Sequence, residues 1–158
     1  MDANLLAMLD VQVGELEQRI KSVIGQEETS AAKARLLLSI PGIGPVSAAM
    51  LIAEMPEIGR MTSGEAAAMT DLAPIPHDSG AMRGKPAIAG GQRALRHVLF
   101  QAALAAACHN PVLKPVAQTL KIRGKSHKLV IVAIARRLVT IANAILKTGV
   151  PWRPHLSR

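Results

Sequence analysis

Between Ser126 and Gly149 the chain reads SHKLVIVAIARRLVTIANAILKTG, and this stretch constrains the fold more than any other. Val130, Ile131, Ile134, Leu138, Ile141 and Ile145 recur at helical spacing. They predict one long helix to about Lys147 with a single apolar stripe. Ser126 stands at its N-cap, and Gly149 and then Pro151 follow its end. The rest of the chain contains no alternating or aromatic-rich run that would build a sheet. Hydrophobic residues make up 49% of the 158, nearly all Ala, Leu, Ile, Val and Met, and Phe100 and Trp152 are the only aromatic residues. An all-α domain is expected.

The remaining segments fit that class. Residues 2–24 predict a helix whose Leu9, Val13, Leu16, Ile20 and Val23 form an a/d seam. Such a seam suits either an amphipathic helix packed on its own domain or the end of a coiled coil, and 1–28 is set apart as a coiled-coil-like helix. A second helix is expected over 31–39, followed by Ser39-Ile40-Pro41-Gly42-Ile43-Gly44-Pro45 and a third helix over 45–55. This is the pattern of a helix-hairpin-helix (about 36–55). Its glycines allow close backbone approach, and the following helix start offers main-chain N–H groups to a phosphate. Hairpins of this kind also simply pack helices. A short helix over 64–71, with Ser63 as N-cap, precedes a loop over 72–91. Beyond it, a helix opening at Gly90-Gly91 carries Arg93, Arg96 and His97 on one face and Leu95, Val98, Leu99, Ala102 and Ala106 on the other. Asn110 and Pro111 are placed to cap and start the next helix, which runs to about Lys121 and stops at Arg123-Gly124.

Charge divides the chain. Up to Asp78 there are 11 acidic and 5 basic residues; from Ser79 to Arg158 there is no Asp or Glu and there are 14 Lys or Arg. A half-chain without carboxylates cannot build its own carboxylate metal cage or acid/base pair, but it is suited to lie on a polyanion. Two aromatic residues cannot form the stacking platform of a single-strand binder, so phosphate contact by cations and main-chain N–H groups is the mode left. Lys121, Arg123, Lys125, His127 and Lys128 cluster at one turn, and Arg136-Arg137 continue the set. One cysteine, Cys108, excludes a disulfide framework and a Cys-based zinc site, and its Ala-rich surroundings suggest a small core residue. No apolar stretch is expected to reach the roughly 20 residues of a membrane span. With no basic signal-peptide start, the cytoplasm is the expected compartment.

The loop over 72–91 presents His77-Asp78-Ser79-Gly80 behind Pro74 and Pro76, then Arg83 and Lys85 among glycines. Asp-Ser-Gly is ordinary turn chemistry, and spacing alone does not make Ser79 a nucleophile.

Taken together, Ile40-Pro41-Gly42-Ile43-Gly44, Leu72-Ala73-Pro74, Asp78-Ser79-Gly80, Arg83-Gly84, Gly90-Gly91 and Leu95-Arg96 resemble one family. Asn110-Pro111, Arg123-Gly124-Lys125, Lys128, Ala135-Arg136-Arg137-Leu138 and Gly149-Val150-Pro151-Trp152 continue the likeness. It is the serine-dependent transposases of the IS110 class of bacterial insertion sequences, also called DEDD or bridge-RNA-guided recombinases. The resemblance covers residues 31–153 and only that family's C-terminal transposase domain. It implies site-specific DNA strand exchange in which Ser79 attacks a DNA phosphodiester to give a phosphoserine intermediate. It further implies that Arg83, Lys85, Arg93 and Arg96 neutralise the attacked phosphate. Lys121, Arg123, Lys125, Lys128, Arg136 and Arg137 would hold double-stranded DNA or the structured guide RNA that many members use, and the hairpin pattern itself adds Gly42 and Gly44 as candidate phosphate contacts.

The family's acidic resolvase-like domain, which supplies Mg²⁺, has no counterpart in this chain. The chain is therefore expected to be an excised domain or a truncated reading frame that does not recombine DNA alone, and to hold no cofactor of its own. Residues 2–24 would be the end of the family's coiled coil and a route to a homo-oligomer. Near 113–119, where members commonly carry an aromatic residue and extra cations, this chain has Leu113-Lys114-Pro115-Val116-Ala117. Two other expectations compete: a non-enzymatic helix-hairpin-helix module that binds DNA or RNA, and a structural oligomerisation domain led by residues 2–24.

Overall fold

A computed structural model describes residues 2–69 and 86–154, and among them every regular element is helical. In chain order these are α1 (Ala3–Gln26), α2 (Glu28–Leu38), α3 (Pro45–Glu54), α4 (Ser63–Met69), α5 (Pro86–His109), α6 (Leu113–Ile122) and α7 (His127–Thr148). The all-α expectation holds.

The core is built on α7, which packs against α2, α4, α5 and α6. Its stripe is buried as the spacing predicts, from Val130 through Ile134 and Leu138 to Ile145, with Ile141 half-buried at the edge. Both ends carry the expected caps. Ser126 Oγ accepts from the Leu129 N–H at 3.3 Å. At the other end Gly149 adopts φ +69°, and its N–H donates to the Ile145 carbonyl. Contrary to the expectation for membrane-spanning stretches, α7 is by length and composition long and apolar enough to cross a bilayer. Half of its most apolar window is instead inside the fold.

The second wall is α5, whose Leu95, Leu99, Ala102, Ala103 and Ala106 are buried. The helix begins at Pro86, so Gly90 and Gly91 lie within it rather than opening it. Proline has the helical φ already set, and the roughly 1 kcal/mol that each interior glycine costs relative to Ala is offset by the packed turns downstream. Cys108 is exposed, not a core residue. Two positions past Ala106, it is carried about 200° round the helix, away from the buried face.

Boundaries shift where tertiary or side-chain capping overrides local pattern. α2 starts at Glu28, three residues early, because the polar stretch bends only at Glu27. α4 is capped by Thr62, not Ser63: Thr62 Oγ1 accepts from the Glu65 N–H, and Glu65 Oε2 accepts from the Thr62 N–H at 2.8 Å, a reciprocal capping box. Ahead of α6, Asn110 does cap as expected, its Oδ1 accepting from the Val112 and Leu113 N–H groups. Regular helix follows only from Leu113.

Two buried asparagines fasten the irregular turns to this scaffold. Asn110 Nδ2 donates to the Pro41 carbonyl at 3.0 Å. Asn143, within the buried face of α7, accepts from the Gly59 N–H at 2.7 Å and donates to the Met61 carbonyl at 2.8 Å. Both side chains are almost fully enclosed, while the Pro41, Gly59 and Val112 backbone they hold is half-buried at the edge of the core.

α1 is the outlier. It packs on α2 and α3, yet none of its residues is buried. Of its a/d seam only Ile20 is half-buried; Leu9, Val13, Leu16 and Val23 are exposed.

Candidate nucleic-acid interface

The turn between α6 and α7 gathers four of the expected contact residues. Lys121, Arg123, Lys125 and Lys128 are all exposed there, with His127. The turn is closed by two main-chain bonds, Gly124 N–H to the Lys121 carbonyl and Lys125 N–H to the Leu120 carbonyl. With Gly124 at φ +78°, this is a Schellman closure, which satisfies the last carbonyls of α6 and needs a residue free of a Cβ clash. Ser126 then caps α7 directly. The cations thus project from a stiff corner between two helices. No carboxylate lies in the sequence from Ser79 onward.

Arg136 and Arg137 are exposed further along α7. Eight residues separate Lys128 from Arg136, about 12 Å along the axis, a spacing within one DNA strand's reach. Lys147, on the same outer face, sits near Glu65 and belongs to a different environment. On α5, Arg93 and His97 are exposed, whereas Arg96, three residues before the buried Leu99 and so beside it on the helix, is half-buried. Ser79, Arg83 and Lys85 lie outside the described residues.

The two glycines of the turn between α2 and α3 part company. Gly42 has φ +108°, and a Cβ there would come within 2.6 Å of Ala106 Cβ, so it lets the turn seat on α5. Gly44 has open space around it and stands at the N-cap of α3, where it offers no side chain to the first turn. Pro45 at N1 has no N–H, so Val46 and Ser47 carry the donors of that end. The turn is held besides by Ser39, whose Oγ accepts from the Trp152 N–H at 2.9 Å.

Sequence reasoning overlooked Asn110 and Asn143 as clamps, although a lone amide within the apolar run IANAIL was a signal for the second. Among the described residues no three His, Cys, Asp or Glu side chains come together in a way that could hold a metal ion. The donor set among the described residues does not fit Mg²⁺.

A model of the transposase IS116/IS110/IS902 family matches residues 34–118, more than half of the chain. The chain belongs to that family. The match runs from α2 through the α2–α3 turn and α5 into α6, so it takes in both the Gly42–Ala106 contact and the Asn110 clamp. Among curated relatives, the chain is similar to pilin gene-inverting proteins of Moraxella bovis and Moraxella lacunata. Each is 29% identical over 144 residues, covering 89% of this chain and 45% of the relative. It is also similar to an insertion element IS110 protein of Streptomyces coelicolor, 28% identical over 153 residues, covering 89% of this chain and 38% of that protein. The chain thus spans less than half the length of these family members.

Proposed function

We propose that this transposase-family chain is the DNA-holding, serine-bearing half of a site-specific recombinase. The observation that carries the reading is the family match, joined to a surface on α5, α6 and α7 whose cations face no carboxylate of their own half-chain. Arg93, Arg96, Lys121, Arg123, Lys125, Lys128, Arg136 and Arg137 contact the phosphates of double-stranded DNA, or of a structured guide RNA bound by the full-length protein. Such contacts position the strand without reading its bases. The Gly44 end of α3 adds main-chain donors to the same task. That relatives are named for inverting a pilin gene agrees with strand exchange as the outcome.

The nucleophile is Ser79. Its Oγ attacks a backbone phosphorus, a serine–phosphate ester forms, and one phosphorus–oxygen bond of the strand breaks. The serine proton passes to a base, and the departing sugar oxygen takes up a proton to become a hydroxyl. Because the ester conserves the phosphodiester's bond, that hydroxyl or another can later reseal the strand with no external energy source. Arg83, Lys85, Arg93 and Arg96 offset the charge that gathers on the phosphate in the transition state. The resemblance implies that members of the family complete this site with an acidic domain, and the adduct test therefore supplies one.

A second reading, a module that binds nucleic acid without chemistry, is favoured by the open Gly44 end of α3 and shares the same surface. Ser79→Ala separates them. With the acidic domain supplied, the substitution is expected to abolish covalent protein–DNA adducts and leave duplex affinity unchanged. Adducts that persist in Ser79→Ala would remove Ser79 as nucleophile, and a wild-type protein that forms none would favour the binding module. For the surface itself, Arg93→Gln with Arg96→Gln should flatten the slope of log affinity against log salt by about 2, since each phosphate contact contributes about 0.9. An unchanged slope would place DNA elsewhere.

A further inference from the structure

At the tip of the α6–α7 corner stands Ile122, 86% exposed, whereas no other exposed large apolar side chain among the described residues exceeds 60%. Isolated apolar residues on a surface are ordinary. This one is set apart by its setting. It is the last residue of α6, held between Lys121 and Arg123, with Lys125 and Lys128 just beyond. The Schellman bonds from Gly124 and Lys125 and the Ser126 cap on α7 lock both helices to the turn, so the side chain is presented by rigid backbone.

We propose that Ile122 is an apolar wedge that this cation-rimmed corner presses between base pairs of a DNA duplex, kinking it. The inference rests on the reading that the chain holds duplex DNA. Charge complementarity selects the partner: a protein surface would need carboxylates to match four cationic side chains around one isoleucine, whereas a duplex supplies phosphates on both sides of an apolar base stack. Proteins that bend DNA combine these two elements, flanking cations that clamp the strands and a branched aliphatic side chain that parts a base step. Unstacking is unfavourable and is offset by the additional phosphate contacts that a bent duplex makes with the helix flanks, here along α7 toward Arg136 and Arg137.

The test uses the full chain with two readouts on DNA of arbitrary sequence. Fluorescence anisotropy on a labelled short duplex gives affinity. Ligase-mediated circularisation of a linear duplex shorter than the persistence length of about 150 base pairs gives bending. Wild-type protein should raise the yield of circles on the order of tenfold over DNA alone. Ile122→Ala, at a position that buries almost nothing, should return the yield to that of DNA alone while affinity stays within about threefold. Val11→Ala, the same kind of truncation far along the chain from the cations, should leave bending intact. Lys121→Gln, Arg123→Gln and Lys125→Gln together should lower affinity at least about tenfold and flatten the salt slope by about 3. Equal circle yields for wild type and Ile122→Ala, or no rise with bound wild type, would overturn the wedge and leave DNA binding standing. A wild-type chain that fails to bind the duplex would overturn the wedge and the DNA-holding reading beneath it.

Discussion

The side-chain amide of Asn110 donates to the Pro41 carbonyl at 3.0 Å, tying the turn before α6 to the α2–α3 turn 69 residues earlier. The same side chain accepts from two N–H groups of its own turn, so one buried residue serves a local cap and a long-range anchor. That anchor and the close approach of Gly42 to Ala106 both fix the 39–44 turn against the end of α5.

Removing it should be costly. Asn110→Ala leaves the Pro41 carbonyl and two N–H groups without their partner and empties the fully buried position of the amide. A loss of about 3 kcal/mol is expected. Asn143→Leu, which strands the Gly59 N–H and the Met61 carbonyl, should lose about 2–3 kcal/mol. Urea denaturation would show each as a lower midpoint with an unchanged slope. A midpoint unmoved in either variant would mean that the turn does not depend on its clamp.

Opposite outcomes are expected at the two glycines of the α2–α3 turn. Gly42→Ala must force a Cβ against Ala106 at a φ that side chains rarely adopt. A loss of about 3 kcal/mol follows from overpacking and strain together. Gly44→Ala meets nothing within 4 Å and should move the denaturation midpoint little. Equal effects at the two positions would contradict the packing described for Gly42.

The start of α4 should loosen in acid. The Thr62 N–H and then the Thr62 hydroxyl, with a smaller contribution from Lys147, hold the Glu65 carboxyl below its usual range. Since the folded-state pKa is the lower one, the stabilisation is complete above the unfolded value and is lost as pH falls through the folded value. The protection of the Thr62 amide, its exchange rate measured against the intrinsic rate at each pH, should therefore fall across that acid range. Glu65→Gln should make that protection insensitive to pH, and wild-type protection that stays constant through the carboxylate range would refute the capping box as its cause.

The exposed seam of α1 leads to a prediction about assembly. Leu9, Val13 and Leu16 lie open at coiled-coil spacing, so the chain should self-associate through α1 in solution. Leu9→Lys with Leu16→Lys should shift the sedimentation profile to monomer without altering the circular dichroism of the folded domain. An association unaffected by both lysines would exclude α1 as the interface.

What the sequence determined by itself was the set of features whose physics is local. Helical period and two capping residues were enough to define α7 from Ser126 to Gly149, and the absence of carboxylates after Asp78 was enough to mark the cationic half. The spacing of Leu95 and Leu99 likewise marked the buried face of α5. Tertiary structure decided what depends on a distant partner. Only the contact with Ala106 tells Gly42 apart from Gly44, because both read as the same turn residue until α5 lies against one of them. The role of Asn110 as an anchor needed the Pro41 carbonyl, and that of Asn143 needed the 59–61 turn. The exposure of Ile122 and Cys108 was equally hidden, since a side chain's burial depends on which helices come to cover it, and no stretch of neighbouring residues encodes that alone.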